Sequence, residues 1–229
     1  MAKHTITTKS LSRFIQILDG NFPSGAFVHS FGLEPHIVLK KVNNIGQLRI
    51  FLENLIIDQY QGLDFVVVKK VYNYFTQDKL NLIIKEDNNF SAMLSYEYSK
   101  ASKDLGENYL KQINFDIQKD IVKEYFKVTK ENKSFGNELI VLCAYALELD
   151  LDVDIFLLLW CKKNIINIAM ASLKISRIKP SDIQQMLFEF DDELESLIKN
   201  SSKNLNSFNP LFEEIIYQHK MLEPKMFVT

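Results

Sequence analysis

The chain has 229 residues, 47% apolar and 24% charged, a globular composition that excludes a low-complexity or disulfide-stapled architecture and is long enough to bury a core unaided. A net charge of −2 gives no electrostatic footprint for nucleic acid or an anionic membrane surface. Two cysteines, Cys143 and Cys161, argue against a disulfide framework and for the reducing cytoplasm. In chain order, residues 1–10 are polar and lack the apolar region of a secretory signal. Leu11, Phe14, Ile15 and Leu18 then recur at helical spacing, with Ser10 as N-cap and Gly20 past the end. Leu48, Phe51, Leu52 and Leu55 form a second stripe, and Phe65, Val68, Tyr72 and Phe75 a third. Residues 64–72 are rich in valine, so a strand is the rival reading there; helix is preferred because polar positions do not alternate. Further helices are expected at 78–88, 91–113, 117–129, 135–149, 152–172 and 180–200, the last opened by Pro180 with Ser181 and Asp182 behind it. The longest apolar run, 155–161, is too short to span a bilayer.

Seven glycines and five prolines are too few for a strand-and-turn fold. The pattern predicts an all-α, single-domain bundle of about eight to ten helices. Gly20, Pro23, Gly25, Gly32 and Pro35 crowd into one short segment, which is expected to be the most irregular backbone of the chain. Residues 200–209, rich in Ser and Asn, read as a linker. Residues 210–229 return to mixed apolar and charged character, which divides the chain into a helical domain, 1–209, and a docking tail, 210–229.

Chemical motifs are scarce. Gly20 to Gly25 imitates the opening of a phosphate-binding loop, but Ala26 and Phe27 stand where Lys and Ser or Thr are required. No nucleophile elbow and no zinc-protease motif occurs. Cys143 and Cys161 lie in apolar helical stretches and read as core residues. His29, Glu34 and His36 lie close in sequence, and imidazole with carboxylate suits nickel or zinc, yet the spacing supports no stable metal site, and an interfacial role for His29 is preferred. Asp191, Asp192, Glu193 and Glu195 read as a solvated helix face. A small helical enzyme using His29 and Glu34 as base and acid is one alternative; a helical adaptor of unrelated function is another.

The irregular segment, Phe22-Pro23-Ser24-Gly25-Ala26-Phe27-Val28-His29-Ser30-Phe31-Gly32-Leu33-Glu34, resembles the N-terminal signature of the UreF family of urease accessory proteins. The preceding Phe14-Ile15-Gln16-Ile17-Leu18-Asp19 resembles that family's first helix. Glu97, Ala101, Ser102 and Gly106 are similar to a middle-helix pattern. Residues 169–184 resemble an Ala-rich helix in which Lys174 replaces the usual Arg and Gln184 stands for a later Gln, while Arg177, Ile178, Lys179 and Pro180 replace a Pro-Leu-Gly-Gln turn. At the end, Pro210, His219 and Lys225-Met226-Phe227-Val228-Thr229 resemble the family terminus, with Lys220 in place of Glu and Lys225 in place of Arg.

The resemblance implies a non-catalytic, homodimeric, all-α scaffold. It would bind UreD (also called UreH), the GTPase UreG and apo-urease while nickel is inserted into the urease metallocentre. It implies no cofactor of the chain's own and no catalytic or metal-ligating residue. It assigns partner binding to Phe22, Pro23, Gly25, His29, Ser30, Gly32, Glu34, His219, Lys225 and Phe227.

Overall fold

The computed structural model describes residues 7–25, 29–201, 214, 215 and 217–227. Among these the chain is all-α: α1 (Thr8–Leu18), α2 (Leu33–Val38), α3 (Ile45–Asn54), a π-helical segment (Leu55–Asp64), α4 (Phe65–Thr76), α5 (Leu80–Met93), α6 (Tyr96–Gln112), α7 (Asp120–Lys130), α8 (Glu138–Glu148), α9 (Val153–Ile175), α10 (Pro180–Lys199) and a 3₁₀ turn (Gln218–Met221). They group into two compact units. Residues 1–25 and 67–159 form the first, and residues 26–66 and 160–229 the second.

In the first unit α1 begins one turn before the expected cap, because the Thr7 side chain accepts the Ser10 N–H at 3.1 Å. Its buried face is Phe14, Ile17 and Leu18, whereas Ile15, expected inside, is exposed. Phe14 meets the edge of Phe156 at 5.6 Å. Helix α8 is the centre of this unit. All residues from Glu138 to Leu147 are buried, so the helix is apolar on every side, as a helix packed on every side must be. Helix α6 packs against it closely because Gly106 has no side chain: a Cβ there would lie 2.0 Å from the carbonyl oxygen of Gly136. The start of α7 has no cap of its own. Instead the Glu148 carboxylate, at the end of α8, accepts the Gln118 and Lys119 N–H groups at 2.7 and 3.0 Å, satisfying free donors of that helix start.

The second unit holds α2, α3, the π-helical segment, α10 and the tail. In the π-helical segment the Phe65 N–H bonds to the Tyr60 carbonyl, five residues back. Gln59 Nε2 donates to Asp64, also five residues away, at 2.8 Å, so the side-chain pairing follows the wider turn. Nothing in the apolar pattern distinguished this stretch from an α-helix. Tyr60 lies 4.9 Å from Trp160 at the ring centroids. Helix α10 docks on α3 through Arg49, which donates to Glu53, Glu189 and Glu193 and lies 5.1 Å over the Phe190 ring. The acidic face of α10 is solvated but paired: Asp191 bonds Lys162 and Glu195 bonds Lys199.

The valine-rich stretch 64–72 is helical, which removes the strand alternative. The stretch Val153–Lys174 is long and apolar enough to cross a membrane by composition, but 61% of its most apolar window is buried within the protein, as in a core helix. Both cysteines are free and buried, and burial pushes both thiols up. Neither is a nucleophile at neutral pH.

Candidate functional site

Glycine opens the site. Gly32, at φ 82, is the N-cap of α2, a left-handed position that glycine adopts at little cost. The turn brings Ser30 Oγ to the Glu34 N–H at 3.3 Å and the Gly32 carbonyl to His36 Nδ1 at 2.7 Å. Burial lowers the His36 pKa, the Gly32 bond opposes that shift, and nearby Lys41 adds to it. His36 is therefore a neutral ring that donates from Nδ1 and packs edge-on to Phe51, 4.8 Å away.

Glu34, two residues into this short helix, is 1% exposed. Both of its oxygens are taken by the C-terminal tail. Oε1 accepts the Met226 N–H at 2.6 Å. Oε2 accepts the Phe227 N–H at 3.1 Å and meets His219 Nε2 at 3.2 Å. His219 and Phe227 are themselves buried, at 2% and 5% exposure. Lys174 lies 5.1 Å over the Phe227 ring, a cation–π contact. Three polar contacts from the tail thus converge on one carboxylate, which clamps it.

This arrangement brings together Ser30, Gly32, Glu34, His219 and Phe227. His29 is buried in the same unit and lies 5.8 Å from the Phe31 ring, while Lys225 is exposed. Phe22, Pro23 and Gly25 belong to the first unit. There Phe22 stacks on Tyr109 at 5.6 Å, and Asn108 Nδ2 donates to the Ser24 carbonyl at 2.8 Å. Phe27, most of the 200–209 linker, and Leu211, Phe212 and Ile216 of the tail lie outside the described residues.

Gly25 sits at φ 86 with room for a side chain, the nearest atom to a built Cβ being 3.6 Å away. A Gly25→Val substitution therefore suffers backbone strain rather than a clash. It should lower stability by about 1–3 kcal/mol and leave the protein helical, as read from a denaturant midpoint with unchanged circular dichroism.

The acid–base alternative loses its acid here, because Glu34 has neither exposure nor an oxygen free of tail donors. Among the described residues no group of three or more His, Cys, Asp or Glu side chains is placed to hold a metal ion. Sequence reasoning missed the clamp, although it singled out its members. They are 185 to 193 residues apart in the chain, and no local pattern reports a pairing at that distance.

A model of the UreF family matches residues 42–191. The urease accessory protein UreF of Bacillus sp. (strain TB-90) is 23% identical over 224 residues, covering 96% of this chain and 99% of its own length. UreF of Ureaplasma urealyticum serovar 10 is 27% identical over 146 residues, covering 63% of this chain and 62% of its own length, so that match spans under two thirds of the relative. UreF of Streptococcus salivarius (strain 57.I) is 23% identical over 141 residues, 61% of this chain and 60% of its own length.

Proposed function

We infer the role of this chain from its kinship: it belongs to the UreF family. It acts as an accessory scaffold in the maturation of urease, in the cytoplasm, without catalysing a reaction itself. Its work is to recruit and regulate the UreG GTPase while nickel, the cargo of the assembly, is delivered to the urease metallocentre. Its partners are UreD/UreH, UreG and apo-urease, and a second copy of the chain makes a homodimer.

The observation that carries this reading is the clamp at Glu34. It joins parts of the chain that resemble the two ends of the family, and it keeps the Glu34 carboxylate, 1% exposed, away from solvent. A scaffold needs surfaces held in shape, and the clamp holds one. While His219 and Phe227 face inward, Tyr217, Met221 and Met226 stand out at 45%, 83% and 58% exposure. Methionine and tyrosine are favoured at interfaces because they offer large contact area with adaptable or amphipathic character. His219 and Phe227 thus act on the partner surface indirectly, by seating the tail, and the exposed residues beside them make the contact.

The test separates the two roles. Met221→Asp replaces an apolar side chain that is 83% exposed. It should leave the thermal midpoint within a degree or two, since surface changes cost no more than about 0.5 kcal/mol, yet sharply reduce co-purification with UreD/UreH. Wild-type recovery of UreD/UreH by this variant would remove the tail from the partner surface.

A further inference from the structure

A second buried carboxylate lies in the first unit. Asp87, on α5, is fully enclosed. Its Oδ2 accepts the Ser134 hydroxyl at 2.6 Å, the Gly136 N–H at 2.7 Å and the Tyr125 hydroxyl at 3.1 Å. Its Oδ1 accepts the Asn137 N–H at 3.0 Å, among the described residues its one partner, although a carboxylate oxygen takes two. Burial pushes the Asp87 carboxyl up, and its four hydrogen bonds oppose that shift. All four neighbours donate to the carboxyl oxygens, and burial outweighs them, so the carboxyl stays above its ordinary range.

Among the described residues of this unit, Asn137 Nδ2 and Ser91 Oγ are two of the buried polar atoms without a hydrogen-bond partner. Asn137 is wholly buried and Ser91 is 4% exposed. The orientation of the Asn137 amide is fixed, because its Oδ1 caps α8 by accepting the Leu139 N–H at 3.0 Å. Its NH₂ group is therefore the free end. Ser91 follows Asp87 by one helical turn on α5, the spacing at which side chains are neighbours.

We propose that one buried water is bound at Asp87 Oδ1, Asn137 Nδ2 and Ser91 Oγ. The ligand must accept a proton from an amide, donate one to a carboxylate and pair with a hydroxyl. Water does all three, and three partners is the usual number for a buried water. An amide N–H is a donor and no metal ligand, so this set of groups does not suit a metal ion. The water completes the coordination of Asp87 and so fixes the 134–137 turn against which Gly106 of α6 is packed.

A crystal structure of the full chain should show one water within about 3 Å of all three atoms. In solution, the Asn137 side-chain NH₂ should show a cross-relaxation peak with water. Three results would each overturn the proposal: no water at the position, Ser91 Oγ bonded instead to the Asp87 carbonyl one turn back, or no cross-peak between the Asn137 NH₂ and water.

Discussion

Gly106→Ala should be the most damaging single-methyl change in this protein. The added Cβ would lie 2.0 Å from the Gly136 carbonyl oxygen and 3.2 Å from the Glu138 nitrogen. Both are backbone atoms, and hydrogen bonds hold the segment that carries them. Gly136 and Asn137 donate to Asp87, and the Glu138 N–H donates to Ser102 Oγ on α6 itself. No flexible side chain can move aside, so α6 must lift from α8, the buried centre of its unit. Alanine favours a helix over glycine by about 1 kcal/mol, but a clash in a close-packed core lies in the exceptional range, above about 4 kcal/mol. At about 2–4 °C per kcal/mol for a chain of this size, the thermal midpoint should fall by roughly 8–16 °C. Gly46→Ala is the control. It lies in α3, exposed, with the nearest atom 3.4 Å away, and should be neutral or slightly stabilising. Equal midpoints for the two variants would mean that α6 and the 136–138 backbone are not in contact.

Glu34→Ala should release the tail and leave the helices standing. The substitution strands three donors, the His219 ring and the Met226 and Phe227 N–H groups. A buried donor left without its acceptor costs about 1–3 kcal/mol, so the three together cost more than a short strap gains by staying docked. The strap therefore undocks before the protein unfolds, and its residues regain water as a partner. Amides at 217–227 should lose protection from hydrogen exchange and the segment should become a protease site, with helical circular dichroism close to wild type. Activation of urease in cells should fall with it. Glu34→Gln keeps one acceptor oxygen and should be intermediate. A tail that stays protected in Glu34→Ala would contradict the clamp.

Much of the helical content was legible because periodic apolar stripes report burial on one face. Phe14 and Leu18 of α1, and Leu48, Phe51, Leu52 and Leu55 farther on, are buried as the stripes require. The departures have physical causes. Thr7 outcompetes Ser10 as cap because its oxygen reaches the Ser10 N–H. The π-helical turn at Leu55–Asp64 changes the hydrogen-bond step without changing the apolar pattern. Helix α2, between Gly32 and a residue at positive φ, Lys40, is too short at six residues to show a period. At the site, the glycine-rich segment was recognisable by composition, and Glu34, His219 and Phe227 by resemblance. That they meet was not, because the contact spans nearly the whole chain. Asp87 was missed altogether: it sits in a polar run, Glu86-Asp87-Asn88-Asn89, that reads as surface, and its partners on the 134–137 turn and α7 are supplied by the fold. Gly106 was noted as part of a middle-helix pattern, and the structure supplies its reason, the approach of two backbones. The family model matches 42–191, the stretch in which short motifs resemble the family least.

As a member of the UreF family, this chain should be needed to mature urease in a host that carries the urease structural subunits, UreD/UreH, UreG, the remaining accessory proteins and nickel. Urease activity and nickel content of the purified enzyme are measured with and without this chain. With the chain present the enzyme should be active and nickel-loaded; without it, or with Glu34→Ala in its place, activity and nickel should fall together while the apo-enzyme still accumulates. Equal nickel loading and activity in the presence and absence of the chain would contradict the account.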